Sequence, residues 1–175
     1  MRQLAIVGLS LLFLAGCVDD SILDSNDSIQ PGLYTGTLSI TKTVKDQKIS
    51  GTTEQTTTES QITHIQINND NTISFSGRIV AVGDTATEYI GEYQLITTIT
   101  GVVFDNNKIL ITYTKSGEWI DKNSGDTATI SGYSTELYTI NQNGTLSASL
   151  YQKLILTSGT EFIYMTTEST GTLSQ

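Results

Sequence analysis

The sequence predicts an all-β chain, an antiparallel up-and-down barrel of about eight strands, and three observations carry that prediction. From residue 31 onward, apolar side chains alternate with Thr and Ser, the period of two that marks a half-buried strand rather than the 3.6 of a helix. Clusters of Asn, Asp and Gly, which tolerate the positive φ of tight turns, separate the alternating runs. No connection is long enough for a crossover, so consecutive runs read as hairpins, and a meander of this length removes its exposed edges most simply by closing on itself. A β-sandwich is the alternative that the same pattern of short strands allows.

The elements follow in chain order. Residues 1–16 read as an export signal, with Arg2 as the basic start and an apolar stretch over residues 4–15 broken only by Gly8 and Ser10. As a helix that stretch spans about 18 Å, short of the roughly 30 Å hydrocarbon core, which argues against a permanent transmembrane helix. Residues 17–30 carry Asp19, Asp20, Asp24 and Asp27 among Ser and Asn and read as a disordered acidic tether, with Pro31, the sole proline, opening a single domain over residues 31–175. Its cleanest strand sets Tyr34, Gly36, Leu38 and Ile40 on one face against Thr35, Thr37, Ser39 and Thr41 on the other. The same alternation turns inward Ile65 and Ile67; Ile73, Phe75 and Ile79; Tyr89, Tyr93, Leu95 and Ile99; and Ile109, Ile111 and Tyr113. Further on it turns inward Ala128 and Ile130; Leu146, Ala148 and Leu150; and Phe162 and Tyr164.

Turns are expected at residues 68–71, 83–84, 105–107, 123–126, 141–144 and 158–159. Residues 45–60, rich in Thr, fit either a long first loop or an extension of the first hairpin. Gly36, Gly77, Gly91 and Gly132 fall within strands, mostly in the inward register, where glycine weakens a strand and needs a reason. They either let strands kink at barrel corners or hollow out a cavity lined by Tyr34, Gly36, Phe75, Gly91, Tyr93 and Gly132.

Two resemblances add expectations. The leader ends Leu14-Ala15-Gly16-Cys17, which resembles the lipobox of bacterial lipoproteins. That resemblance implies cleavage before Cys17, acylation of its sulfur and membrane attachment through the acyl chains. It also implies sorting, because Val18 stands where an Asp commonly retains such proteins at the inner membrane. The outer membrane is therefore expected, with a periplasmic face ahead of a surface one, although Asp19 and Asp20 resemble the acidic surface-export signals of some Bacteroidota lipoproteins. The run Gly32-Leu33-Tyr34-Thr35-Gly36-Thr37-Leu38 is similar to the first strand of small calycin-like barrel lipoproteins, including a copper-responsive envelope-stress family. That family continues with Pro and a Cys-x-x-Cys, whereas this chain has Ser39-Ile40 and one cysteine in all, so its metal and redox chemistry is not carried over. The Gly-x-Trp of lipocalins occurs here in mid-chain, at Gly117-Glu118-Trp119, and only the architecture is implied.

Composition excludes more than it selects. The formal charge is −9, and without Arg2 eight bases face eighteen acids, which argues against nucleic acid or an anionic lipid surface as partner. One Cys and one His rule out a disulfide framework and a zinc cluster. His64, between Thr63 and Ile65, reads as a solvent-exposed or rim side chain rather than a catalytic base. Glu88 and Glu92 lie about 13 Å apart on one strand face, too far for a glycosidase pair. Residues 121–126 lack the Gly and Glu positions of a calcium loop and read as an ordinary turn. Trp119, Tyr133, Tyr138 and Tyr151 are candidates for a ligand or partner surface. The expectation is a non-enzymatic envelope lipoprotein without cofactor or metal, binding a small apolar ligand or another envelope protein; the alternative is a surface structural or adhesive module.

Overall fold

The computed structural model describes residues 28–48, 51–75, 77–90, 93–120, 127–159 and 161–175, and within these not the side chains of residues 48, 88–90, 93, 119 and 120. Among the described residues every regular element is a strand: β1 (Gly32–Lys48), β2 (Gly51–Ile67), β3 (Ile73–Phe75), β4 (Arg78–Ile79), β5 (Thr85–Ile90), β6 (Tyr93–Asp105), β7 (Lys108–Ile120), β8 (Thr127–Ile140), β9 (Leu146–Ser158) and β10 (Glu161–Ser174). They form one antiparallel sheet in the order β4-β3-β2-β1-β10-β9-β8-β7-β6-β5. The two edges, β4 and β5, are thus consecutive in the chain.

The sheet curls strongly into a half-barrel. Ile65 of β2 and Ile109 of β7 share one core cluster although four strands separate theirs in the sheet, which requires the inner face to fold over on itself. A single self-packed sheet also leaves the sandwich without a second sheet among the described residues. The main cluster joins Ile29, Tyr34, Leu38, Ile40, Ile67, Ile73, Ile111, Tyr138, Leu146, Ala148 and Leu173 to that pair at one end of the curl. A second cluster of Leu95, Ala128, Ile130, Leu154 and Leu156 lies further along the same inner face. Burying each Ile or Leu removes apolar surface from water and contributes about 1.5–3 kcal/mol.

Glycine opposite a large side chain lets the sheet bend. Gly36 pairs with Leu173, Gly171 with Leu38, Gly132 with Leu154 and Gly117 with Leu95, and all four partners are buried. A Cβ on Gly132 would overlap the Lys153 carbonyl oxygen, and one on Gly36 would overlap that of Thr172. Neighbouring strands therefore approach more closely at these points than any side chain allows, the geometry of a glycine kink.

Two turns are built alike. Asn68 and Asn141 each donate a backbone N–H to the carbonyl four residues on, of Thr72 (2.9 Å) and Thr145 (2.8 Å). Asp70 and Asn143 accept from the hydroxyl of that threonine, at 2.7 Å in both. Asn71 and Gly144 supply the positive φ, 60° and 79°. The hydroxyl and backbone N–H of Thr72 hold the Asp70 carboxyl below its ordinary pKa.

The architecture departs from the sequence reading in three places. Residues 73–79 are not one strand: Gly77, with φ of 80°, turns the chain between β3 and β4. Residues 85–105 are a hairpin, β5 and β6, and Gly91 lies outside the described residues. Residues 45–60 take one of the two forms expected of them and extend the first hairpin, in unbroken register from Gly32↔Ile67 to Lys48↔Gly51. Phe162 and Tyr164 face outward, because Ile163 and Met165 stand opposite Leu156 and Leu154 in the inward register. Packing also begins ahead of Pro31: Ile29 is buried in the main cluster and donates its N–H to Asn106 O at 2.8 Å.

Replacing Gly132 with Ala is expected to destabilise the fold by about 1–3 kcal/mol, since backbone must move to admit the methyl. Gly101→Ala is the comparison, because its Cβ meets only the Thr112 hydroxyl oxygen, at 2.7 Å. Urea unfolding of both variants measures the difference; equal losses would show that strand proximity at Gly132 is not what the curl requires.

Candidate functional site

The inner face is not uniformly apolar. Strand alternation places Lys42, Lys115, Ser134, Glu136, Gln152, Thr167 and Ser169 in the inward register, between the two apolar clusters. Lys115 and Ser169 are buried there, and Glu136 is half-buried. This polar waist surrounds a small cavity of ≈ 130 Å³ lined by Lys115, Ser134, Glu136, Gln152 and Ser169 among others.

A larger cavity of ≈ 360 Å³ opens beside it, inside the curl. Phe75, Ile79, Val80, Ile99 and Leu150 supply its apolar walls. Thr63, Thr97, Tyr113, Glu136 and Tyr138 supply polar groups, and Arg78 with Asp84 stands at its rim. Its lining comes from every strand between β2 and β9 in chain order, so the site exists only once the sheet has curled.

Local bonds fix its two ends. At the rim, the β4-to-β5 connection is sewn to both neighbouring strands: Val80 N–H donates to Ile73 O (2.8 Å) and Gly83 N–H to Ile99 O (2.8 Å). Arg78 Nη2 lies 3.6 Å from Asp84 Oδ1 with the arginine largely exposed, a pair of small energetic value. Inside, the Tyr138 hydroxyl donates to Glu136 Oε2 at 3.0 Å. Burial, reinforced by the neighbouring Glu136 charge, pushes the Tyr138 phenol far above its ordinary pKa, so it stays a neutral donor. Glu136 and the phenol donor beside it thus set polar groups into one side of an otherwise apolar wall.

The sequence-derived candidates separate. Tyr133 and Tyr151 lie together on the outer face, ring centroids 6.0 Å apart and tilted by 41°. Tyr138 does not join them: it is buried, because its strand runs inward at Ala128, Ile130 and Tyr138 alike. Trp119 stands opposite Ala128 near the end of β7, and its side chain, like that of Tyr93, lies outside the description. Of the cavity candidates, Phe75 lines the larger cavity. Tyr34 is packed in the main core with its hydroxyl donating to Gln30 O at 3.0 Å, and Gly36 and Gly132 serve strand approach. His64 is exposed on the outer register of β2, whereas Glu92 and residues 121–126 lie outside the described residues. Ile99 and Leu150 were expected to face inward but not to line a site, and Glu136 and Thr97 were not singled out by sequence; a carboxylate in the inward register of β8 was the available signal.

Compared with known proteins, the chain matches no family model, no curated protein and no solved structure.

Unfolding returns Tyr138 to the ordinary tyrosine value of 10.0. Because the folded value is raised, the native contribution is complete below that pH. It is lost as pH rises further, at about 1.4 kcal/mol per pH unit. Tyr138→Phe is expected to remove that slope from the alkaline limb of a stability profile measured by urea unfolding. An unchanged slope would mean that the phenol is not held neutral by the fold.

Proposed function

We propose that this chain is a non-enzymatic envelope lipoprotein, anchored by acyl chains on Cys17 in the outer membrane, that takes a small amphipathic molecule into its curled sheet. The observation that supports ligand binding is the ≈ 360 Å³ cavity, with apolar walls and the Glu136–Tyr138 pair set into one side. Its size sits at the low end of the roughly 300–1,000 Å³ typical of small-molecule sites. A binding role fits the chemistry of the lining, in which hydroxyls and the Glu136 carboxylate offer orientation rather than an activated nucleophile.

The anchor fits the path of the chain. Ser28 to Pro31 sit at one end of the half-barrel, where Gln175 Nε2 donates to Pro31 O at 3.1 Å, so a lipid on Cys17 attaches at that end. The tip of the β1–β2 hairpin, at the opposite end, then projects away from the membrane.

N-phenyl-1-naphthylamine, an uncharged apolar fluorophore, is expected to bind the detergent-extracted full-length protein with enhanced emission. Ile99→Trp, which fills the cavity, is expected to weaken it at least about tenfold, or 1.4 kcal/mol. Binding unaffected by that substitution would place the ligand elsewhere, and no binding would remove the carrier reading. Separately, Cys17→Ala is expected to move the protein out of the membrane fraction; retention there would end the anchor reading.

A further inference from the structure

The long edge of β2 is unlike any other edge of this sheet. β2 pairs with β1 over its whole length, but with β3 only at Gln66 and Ile67. Residues 51–62 are all exposed. A free strand edge presents unpaired N–H and C=O groups, and proteins blunt such edges with lysine, proline, bulges or short length. Residues 51–63 contain no lysine and no proline, and their register with β1 has no break. On the same side of the sheet, β4 is two residues long and carries Arg78.

The hydrogen-bonding direction of the edge follows from its continuation. Asn68 N–H donates across to Thr72 O, and Gln66 pairs with Ser74. Even-numbered residues of β2 therefore turn their backbone groups away from β1, and odd-numbered ones toward it. The free groups belong to Thr52, Glu54, Thr56, Thr58, Ser60 and Ile62.

Charge selects the occupant. The chain carries −9 overall, yet over residues 40–63 three lysines (42, 45 and 48) balance Asp46, Glu54 and Glu59. Lys42 is ion-paired with Glu59, and Lys45 stands opposite Glu54. This hairpin is the neutral part of an acidic molecule, where two copies meet without the repulsion that the rest of the surface imposes.

We infer that the β2 edge pairs with the β2 edge of a second copy of this chain, antiparallel about a two-fold axis through Thr57. That register uses the whole free run. It sets Thr56 opposite Thr58, Gln55 opposite Glu59, Glu54 opposite Ser60 and Thr52 opposite Ile62, so no two carboxylates face each other. The contact is isologous and closes at two copies. Antiparallel pairing turns the copies head to head, with their N-terminal ends pointing in opposite directions. On the Cys17 anchor proposed above, the pair links two facing lipid surfaces rather than neighbours in one leaflet.

The test uses full-length protein in detergent. Thr57 meets its own copy in a non-hydrogen-bonded pair, with Cα atoms about 4.5 Å apart, within disulfide range. Thr57→Cys is expected to give a covalent dimer on mild oxidation. Thr53→Cys, whose copies lie about 26 Å apart along the strand, is expected to give none. The unsubstituted chain controls for Cys17. Thr58→Pro removes an outward N–H without touching the β1 ladder, and is expected to give a monomer by mass photometry with an unchanged circular dichroism spectrum. Equal cross-linking at positions 57 and 53, no cross-linking at 57, or a folded Thr58→Pro variant of unchanged size would each overturn the contact. Reconstituted vesicles are expected to cluster with the unsubstituted chain and not with Thr58→Pro. A dimer in detergent that clusters no vesicles supports the edge contact and counts against the anchor.

Discussion

The structure depends on how closely its strands can approach at four inward glycines. Each stands across the ladder from a buried Leu, and a Cβ there would overlap the backbone of that neighbouring strand. Two of these pairs join β1 to β10 and two fall on β7 and β8 with their neighbours, which concentrates bending at two lines across the sheet. A sheet that twisted only by its ordinary 20–25° between strands would splay these faces apart. With the kinks it folds over, and residues from β2 and β7 reach one core.

Curling creates a difficulty that the inner face resolves by layering. Both ends are apolar, and burying them drives the fold. The middle carries Lys115, Glu136, Gln152 and Ser169, whose burial costs free energy unless hydrogen bonds replace water. The Tyr138–Glu136 bond is one such replacement. A core built for stability alone would be served by more Leu and Ile. Polar groups kept at mid-height beside a hollow of ≈ 360 Å³ are the feature on which the proposed binding role rests.

Much of this was legible in the sequence, and the exceptions share a cause. Alternation identified the class and the inward residues of β1, β7, β8 and β9, because polar neighbours there leave one register open. It misplaced Phe162 and Tyr164, since Phe162-Ile163-Tyr164-Met165 is apolar on both faces and only pairing with Leu154 and Leu156 decides between them. Tyr138 was ambiguous for a related reason: its strand reads inward at Ala128 and Ile130, but Gly132, Ser134 and Glu136 interrupt the apolar pattern before it. Gly77 was taken as a strand kink, whereas its positive φ makes a turn; one glycine between apolar residues looks the same in either role. The cavity was beyond reach, because it gathers residues from strands far apart in the chain. Gly117 and Gly171 were within reach, lying four residues after Tyr113 and two before Leu173 in the inward register.

The open side of the curl completes the physical picture, because its lower and upper parts are handled in opposite ways. At β4 and β5 the chain passes from one edge to the other through residues 80–84, and backbone bonds to Ile73 and Ile99 tie that passage to both sides. The lower part of the curl is thereby closed by covalent connection without a full ladder. Higher up, β5 is short, and β2 rises beyond the reach of β3 with its backbone groups facing solvent. Thr keeps such a strand extended through its β propensity and soluble through its hydroxyl, so the hairpin persists without a core beneath it. An edge held extended in advance loses little conformational entropy when another strand joins it, and that is the condition under which main-chain pairing alone can specify a contact.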